Sequence, residues 1–443
     1  MDLLKFKNKK LYIDNFKLES ILKKKETPFY LYSLDQIKKN IRQVKLSFKN
    51  FKPLICYAIK ANSNLSILKE LNKSNLGADV VSIGELKLAL KAGVKPDKIV
   101  FSGVGKTDKE IKFAIQKGIL SINAESRNEI ELINNISKKL KKTTNIGIRI
   151  NPNIKAKTNK KIATGNKVNK FGISISDFLN IIQAKKNYKN INIYLLSVHI
   201  GSQIMDIKVY KKVLNLVSKI LIKLRKLKHS INYVDLGGGM GIPYFKNDKK
   251  FNFKDFGLAV SKFYQKEKVK IIFEIGRFIT GNSGLIISKI IYIKKINDRY
   301  FIILDTGMND MARSAIYDTF HEIIPLQKSS KKFKKKIEFV GPICESSDTF
   351  GVYKNYSSLK EGEYVCITNC GAYGRTLSSN YNMRPTIAEI MVYGSKHKLI
   401  RKTVVIRKSM LGCLHLTACH LYQGRWSKFA IRKPCSSFHP HER

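Results

Sequence analysis

The sequence predicts an α/β protein, a (β/α)8 TIM barrel followed by a C-terminal all-β domain of Greek-key or β-sandwich type. Three observations predict it. Between Leu54 and Glu274, eight short apolar runs alternate with longer segments of helical periodicity, the number and size of such a barrel. After Gly284 the helical periodicity stops and β-rich runs follow one another directly. A chain of 443 residues is also long for one core, so two domains are expected. A doubly wound sheet is the alternative arrangement for the first part.

Residues 1–28 are basic, end at Thr27-Pro28 and have no place in the barrel, so they are expected to complete the β domain. Phe29-Tyr30-Leu31-Tyr32 reads as a strand entering the main body, which puts the barrel domain at residues 29–284. Its strands are read at Leu54–Ile59, Asp79–Val81, Ile99–Ser102, Leu120–Asn123, Ile146–Ile150, Leu196–Ile200, Tyr233–Leu236 and Ile271–Glu274. Between them Ile207–Lys228 carries Val209, Val213, Leu216, Val217, Ile220, Leu221 and Leu224 on one helical face. Ser82-Ile83-Gly84-Glu85 has the spacing of a capping box, and Gly93 closes that helix.

In the β domain, residues 285–400, strands are read at Leu285–Ile293, Tyr300–Asp305, Lys336–Val340, Glu363–Ile367 and Ala388–Val392. Residues 401–443 differ in composition: lysine thins out, the single tryptophan Trp426 appears, and Cys413, Cys419 and Cys435 crowd with histidines. The tail reads as an unstructured or non-native extension. The spacing of Cys413, His415, Cys419 and His420 matches no usual zinc pattern, and no metal is expected.

No stretch approaches the ~20 apolar residues of a membrane span, and Met1–Asn50 lacks the apolar core of a signal peptide. A cytoplasmic protein without a membrane partner is expected. Seven cysteines without tight spacing suggest reduced thiols. The net charge of +50 is nearly all lysine, spread along the chain, whereas nucleic-acid sites group arginine with aromatics. It reads as compositional bias on solvated faces and not as a nucleic-acid partner; the dense run Lys328–Lys336 reads as an exposed loop.

In a barrel the carboxyl ends of the strands share one face. Strand one ends at Lys60, where lost hydration is expected to lower the amine's pKa and make it a Schiff-base nucleophile, although it could be one more lysine of many. Strand two carries Asp79 and leads to Glu85. Strand six ends in His199-Ile200-Gly201-Ser202, and His199 is either a core histidine or a ring stacked on a flat cofactor. Strand seven ends in Gly237-Gly238-Gly239, whose backbone N–H groups can approach an anion. Strand eight ends in Glu274-Ile275-Gly276-Arg277, where Glu274 either satisfies Arg277 across a turn or partners a heterocyclic nitrogen. A lysine for an aldehyde, glycines and Ser202 for a phosphate and Glu274 for a ring nitrogen describe pyridoxal 5′-phosphate (PLP).

Further on, Cys344 is either a small buried hydrophobe or a thiol that exchanges a proton beside Glu345. Tyr373 stands between glycines, where its phenol could reach a phosphate. Arg313 and Tyr317 share a face if their segment is helical, and Arg313 suits a carboxylate.

These phrases resemble the fold-type III PLP-dependent decarboxylases, with alanine-racemase-like barrels, over nearly all of residues 25–395. The matching runs are Tyr57–Asn62, Gly77–Ser82, Lys170–Gly172, His199–Gln203, Asp235–Gly239, Gly341–Ser346 and Gly371–Gly374. The branch they match best acts on meso-2,6-diaminopimelate. The resemblance implies decarboxylation of that small amino acid at its D centre to L-lysine and CO2, the last step of lysine biosynthesis, in a head-to-tail homodimer with shared active sites. It implies that Lys60 carries the cofactor's aldehyde, His199 stacks on the ring and Glu274 holds the ring nitrogen. Asp79, Ser202, Gly238, Gly239, Gly276, Arg277 and Tyr373 would surround cofactor and substrate. Arg277, Arg313 and Tyr317 would grip the distal carboxylate, with Cys344 and Glu345 arriving from the second subunit. Two positions depart from the family pattern: Ile275 and Ser314 stand where proline is usual. Other readings on the same fold are a decarboxylase of ornithine- or arginine-like amino acids and a non-catalytic binding protein.

Overall fold

Runs rich in isoleucine and valine between amphipathic, lysine-faced helices can bury a strand on both faces. In the computed structural model eight such strands close on themselves. The structure describes residues 3–48, 51–155, 158–162, 164–165, 169–245 and 247–404. The expectations for residues 405–443, including the Cys413, His415, Cys419 and His420 group, lie outside the described residues.

The chain opens with a small antiparallel sheet of β1 (Leu4–Lys7), β2 (Lys10–Ile13) and β3 (Phe16–Lys17). Leu11, Ile13 and Phe16 from it pack with Phe29, Leu31, Leu285, Ile287 and Ile390 in one buried cluster. β4 (Phe29–Ser33) does not enter the barrel as expected. It pairs with strands of the β domain on both sides, and all five of its residues are buried. An apolar run that short marks a strand but cannot say which sheet receives it.

The barrel is β5 (Leu54–Ala58), β6 (Gly77–Val80), β7 (Ile99–Phe101), β8 (Ser121–Ala124), β9 (Thr144–Ile150), β10 (Ile191–Val198), β11 (Tyr233–Asp235) and β12 (Lys270–Ile275). All eight are parallel, and β12 pairs with β5 to close the ring. Its helices start on side chains that accept backbone N–H groups: Ser33, Asn64, Ser82, Thr107, Ser126, Ser174, Asp206 and Asn252. Each such cap is worth ~1 kcal/mol. At Ser82 the capping box is half formed. Ser82 accepts from Glu85 N–H, while the Glu85 carboxylate turns one residue further back and accepts from Val81 N–H at 2.9 Å. Helix Ile207–Lys226 buries Val209, Val213, Val217, Ile220, Leu221 and Leu224 as its periodicity predicts.

The β domain is one mixed sheet. It is built from β13 (Gly284–Ile296), β14 (Arg299–Leu304), β15 (Ile323–Pro325), β16 (Lys336–Val340), β17 (Thr349–Tyr353), β18 (Tyr364–Ile367), β19 (Ala388–Tyr393) and β20 (Lys396–Arg401) together with β4. The long β13 organises it: its first half pairs with β4 and β18, its second half with β14. Sequence reading missed the short or sparsely apolar strands β15, β17 and β20. The lysine-rich run before β16 is exposed loop, as expected. Among the described residues no helix is long and apolar enough to cross a membrane.

Phe273 of β12 ties barrel to helices, its ring stacked on Phe48 at 4.8 Å and tilted against Phe256 at 5.7 Å, with no exposure. Phe273→Ala should lower stability by ~3–5 kcal/mol. Urea denaturation should show a lower midpoint at unchanged slope.

Candidate active site

β5 ends in a tight turn, Ile59–Ala61, that carries Lys60 over the barrel mouth. Its Nζ donates to Asp79 Oδ2 at 2.6 Å; Asp79 is wholly buried, while the lysine side chain remains 38% exposed and open to a ligand. The expectation of a lowered Lys60 pKa is overturned. Burial does oppose the charge, but the charges of Asp79, Glu274 and Tyr373 and the hydrogen bond to Asp79 outweigh it, and the pKa is raised. Desolvation counted the water lost and not the carboxylates gained.

Those carboxylates stand on a polar floor inside the barrel. Ser102 Oγ donates to Glu274 Oε1 at 2.9 Å, and Asn123 Nδ2 bridges Ser102 Oγ and Asp235 Oδ2, each at 3.2 Å. Gly237 N–H at 2.9 Å and Ser197 Oγ at 3.2 Å also donate to Asp235. Burial, with the charges of Asp235 and Asp79, pushes the Glu274 pKa well above its ordinary value. Burial lifts Asp235 to about 6 against its hydrogen bonds.

His199 Nδ1 accepts Gly238 N–H at 3.2 Å, which leaves the ring proton on Nε2. Burial, then the charges of Arg149 and Lys60, hold its pKa well below 6.5, so the imidazole is a flat, neutral ring. Glycine is required beside it. A Cβ on Gly238 would stand 1.9 Å from the Glu274 carbonyl oxygen, and Gly239, at φ +94°, would place one 2.3 Å from Gly201 O.

A second cluster lies where the barrel meets the β domain. Gly276 leads into the short helix Arg277–Thr280, and the buried Arg277 donates to Ser202 Oγ from Nε and Nη2 at 3.2 and 3.1 Å. Glu274 therefore does not serve to satisfy Arg277. Arg277 also lies 4.7 Å over the Tyr373 ring, whose own N–H donates to Ala61 O beside Lys60. Arg313–Tyr317 is helical, as the shared face required, with Arg313 5.8 Å over the Tyr317 ring. Both guanidiniums are buried, and among the described residues no carboxylate pairs with either. Two buried cations without a counter-ion make an anion site.

Lys60, Asp79, His199, Glu274 and the Gly237–Gly239 turn are thus brought together, as are Ser202, Arg277, Arg313, Tyr317 and Tyr373. Cys344 and Glu345 join neither group. Cys344 is exposed, its N–H donates to Asn382, and Glu345 accepts from Tyr381 Oη at 2.5 Å. Sequence reading missed Ser102 and Asn123, whose signal was a polar residue closing an apolar run. It also missed Tyr244 and His321, which carried no local signal. Tyr244 Oη accepts from both arginines, and His321 Nε2 accepts from Arg313 Nε at 3.2 Å.

Residues 34–281 match the family model described as pyridoxal-dependent decarboxylase, pyridoxal binding domain. The diaminopimelate decarboxylase of Aquifex aeolicus is 40% identical over 399 residues, 90% of this chain and 94% of that protein. The crystal structure of the Helicobacter pylori diaminopimelate decarboxylase complexed with L-lysine superposes with a TM-score of 0.83 at 39% identity, covering 91% of this chain and all of that one. The M. jannaschii enzyme in co-complex with L-lysine gives 0.85 at 34%, covering 91% of this chain and 95% of that one.

The chain belongs to the diaminopimelate decarboxylases.

It is a PLP-dependent decarboxylase, and the site fits that cofactor. Glycines 237–239 form a cradle that any Cβ would fill, Glu274 and the neutral ring of His199 flank the barrel mouth, and Asp79 Oδ1 is buried without a hydrogen-bond partner. The two departures from the diaminopimelate decarboxylase pattern are accommodated. Ile275 is buried in β12 in register with Tyr57, and Ser314 is buried with its hydroxyl on Thr319 O at 3.2 Å.

His321 gives this region a pH signature. Burial first, then the Arg313 charge, push its pKa to about 3. A histidine depressed on folding contributes stability above its unfolded pKa and loses it as pH falls towards the folded value. The stability difference between the wild-type protein and His321→Gln should therefore shrink by about 2 kcal/mol between pH 7 and pH 5 in urea titrations.

Proposed function

We propose that this enzyme removes CO2 from the D centre of meso-2,6-diaminopimelate to release L-lysine, at sites that two copies of the chain complete together in the cytoplasm. The observation that carries the substrate assignment is the pair of buried guanidiniums of Arg277 and Arg313, which no carboxylate among the described residues pairs. An amino acid ending in a second carboxylate satisfies them, whereas the cationic end of an ornithine or arginine would be repelled.

PLP, held by Lys60 and flanked by His199, Glu274, the Gly237–Gly239 turn, the Gly276–Arg277 turn and Tyr373, supplies an electron sink for the pair left when the carboxylate departs. Lys60 must release a proton to act as an amine, and Asp79 Oδ2 at 2.6 Å is the acceptor within reach. Glu274 is buried with its pKa raised, and Asp235 and Ser102 fix the orientation of its carboxyl. Ser202 holds Arg277, and Tyr317 lies under Arg313, so the distal carboxylate is bound in one orientation. Cys344 Sγ–H gives the proton that replaces CO2 on carbon, and Glu345 beside it attracts the substrate's distal ammonium. Their exposure, and the lack of contact with Lys60 within one chain, support a contribution from the second copy.

The deciding experiment follows the visible absorbance of the PLP-loaded protein while meso-diaminopimelate is added and lysine and CO2 are measured. The band should move, lysine and CO2 should form in equal amounts, and Lys60→Ala should abolish both; a cofactor band without turnover would send the assignment to another amino acid. For the shared site, Lys60→Ala and Cys344→Ala mixed in equal amounts should recover about a quarter of the wild-type rate, because half of randomly assorted dimers then hold one intact site. No recovery from two separately inactive variants would place both residues in the same subunit's site.

A further inference from the structure

Arg277 and Arg313 come from different domains, one from the turn after β12 and one from the helix Arg313–Tyr317, and no backbone pairing makes their side chains converge. One phenol joins them. Tyr244 Oη accepts from Arg277 Nη1 at 2.5 Å and from Arg313 Nη2 at 2.9 Å. The tyrosine is itself fixed from both domains. Its N–H donates to Asp248 Oδ2 at 2.9 Å, its carbonyl accepts from Asn369 Nδ2 at 3.0 Å, and its ring meets His321 edge-on at 4.9 Å. His321 in turn donates Nδ1–H to Thr368 O at 2.7 Å, so its Nε2 is the acceptor that holds Arg313 from the far side.

Among the described residues every acceptor on the two guanidiniums is neutral: a phenol, an imidazole and the Ser202 hydroxyl. A carboxylate in any of these places would gather the arginines equally well and cancel their charge. Neutral acceptors aim the donors and leave two positive charges for the ligand. Tyr244 sits at the point where like charges would otherwise push the side chains apart.

We propose that Tyr244 is a positioning residue that sets carboxylate specificity, its hydroxyl oxygen registering Arg277 and Arg313 on one point so that both address a single carboxylate of the substrate. The inference rests on the reading that these arginines bind the distal carboxylate, and it adds the element that makes two separate arginines into one site. Phenylalanine at this position would keep the ring, its packing on His321 and its face towards Arg313, and would remove only the shared acceptor.

The test compares two ligands of the PLP-loaded enzyme that differ by one carboxylate, L-lysine and cadaverine, with binding read from the cofactor absorbance. Tyr244→Phe should weaken L-lysine about tenfold, the loss of hydrogen bonds to charged groups, and leave cadaverine within twofold. It should raise KM for meso-diaminopimelate by a similar factor with kcat within about twofold, the split expected when ground-state and transition-state binding are lost together. His321→Leu, which releases Arg313 from its other side, should show the same selective loss and stands in should Tyr244→Phe fail to fold. Equal weakening of both ligands, or unchanged L-lysine binding, would overturn the proposal, the first by making Tyr244 merely structural. Should the wild-type enzyme not turn over meso-diaminopimelate, the substrate reading fails. A preference for L-lysine over cadaverine that Tyr244→Phe abolishes would still uphold the positioning role, and a wild-type enzyme without that preference would end it.

Discussion

Carboxylates buried side by side cannot all be charged without a cation to share the space, and that constraint shapes the barrel mouth. Asp79, Asp235 and Glu274 end three strands of one closed sheet, and Lys60 reaches over them to pair with Asp79. Each carboxyl meets the constraint differently. Asp79 takes the lysine, Asp235 is surrounded by an N–H, a hydroxyl and an amide, and Glu274 has its pKa raised. Lys60 is correspondingly held as an ammonium, so its reactivity depends on what else enters the site and on the proton acceptor beside it. The close approach of Gly238 to the Glu274 carbonyl belongs to the same geometry, because a side chain there would separate the two strand ends that bring these groups together.

The neighbouring cluster shows the opposite arrangement. Arg277 and Arg313 are also buried, but among the described residues they are held only by neutral acceptors. One end of the site is thus acidic around a single lysine and the other is cationic, with Tyr373 bridging them through its contacts to Ala61 and to Arg277. An amino acid with a charged group at each end fits such a polarity in one direction only. That orientation decides which centre is presented to Lys60.

Eight apolar runs of strand length, the first seven each followed by a helix with a side-chain cap, left little freedom for the first 200 or so residues beyond Leu54, and the barrel followed. Lys60, His199 and Glu274 were legible for the same reason: strand ends in a closed parallel barrel converge, so chemistry at those positions adds up. β4 was legible as a strand and not as a member of the β sheet, since periodicity describes one segment's faces and is silent about partners. The sign of the Lys60 shift was misjudged because it depends on residues 19 and 214 positions away in sequence, which only the closed sheet places beside it.

The sequence by itself determined the strands and helices, the lysine at the end of the first barrel strand, the glycine turn after the seventh and the acid at the end of the eighth, because each follows from local periodicity and from where a strand must stop. Only the tertiary structure decided which charges face one another. Tyr244 and His321 stand in unremarkable stretches, and they become the fittings of an anion site when the β domain brings Arg313 against the barrel turn that carries Arg277. Electrostatic energy depends on distance in space, and distance in space is what a linear sequence leaves open.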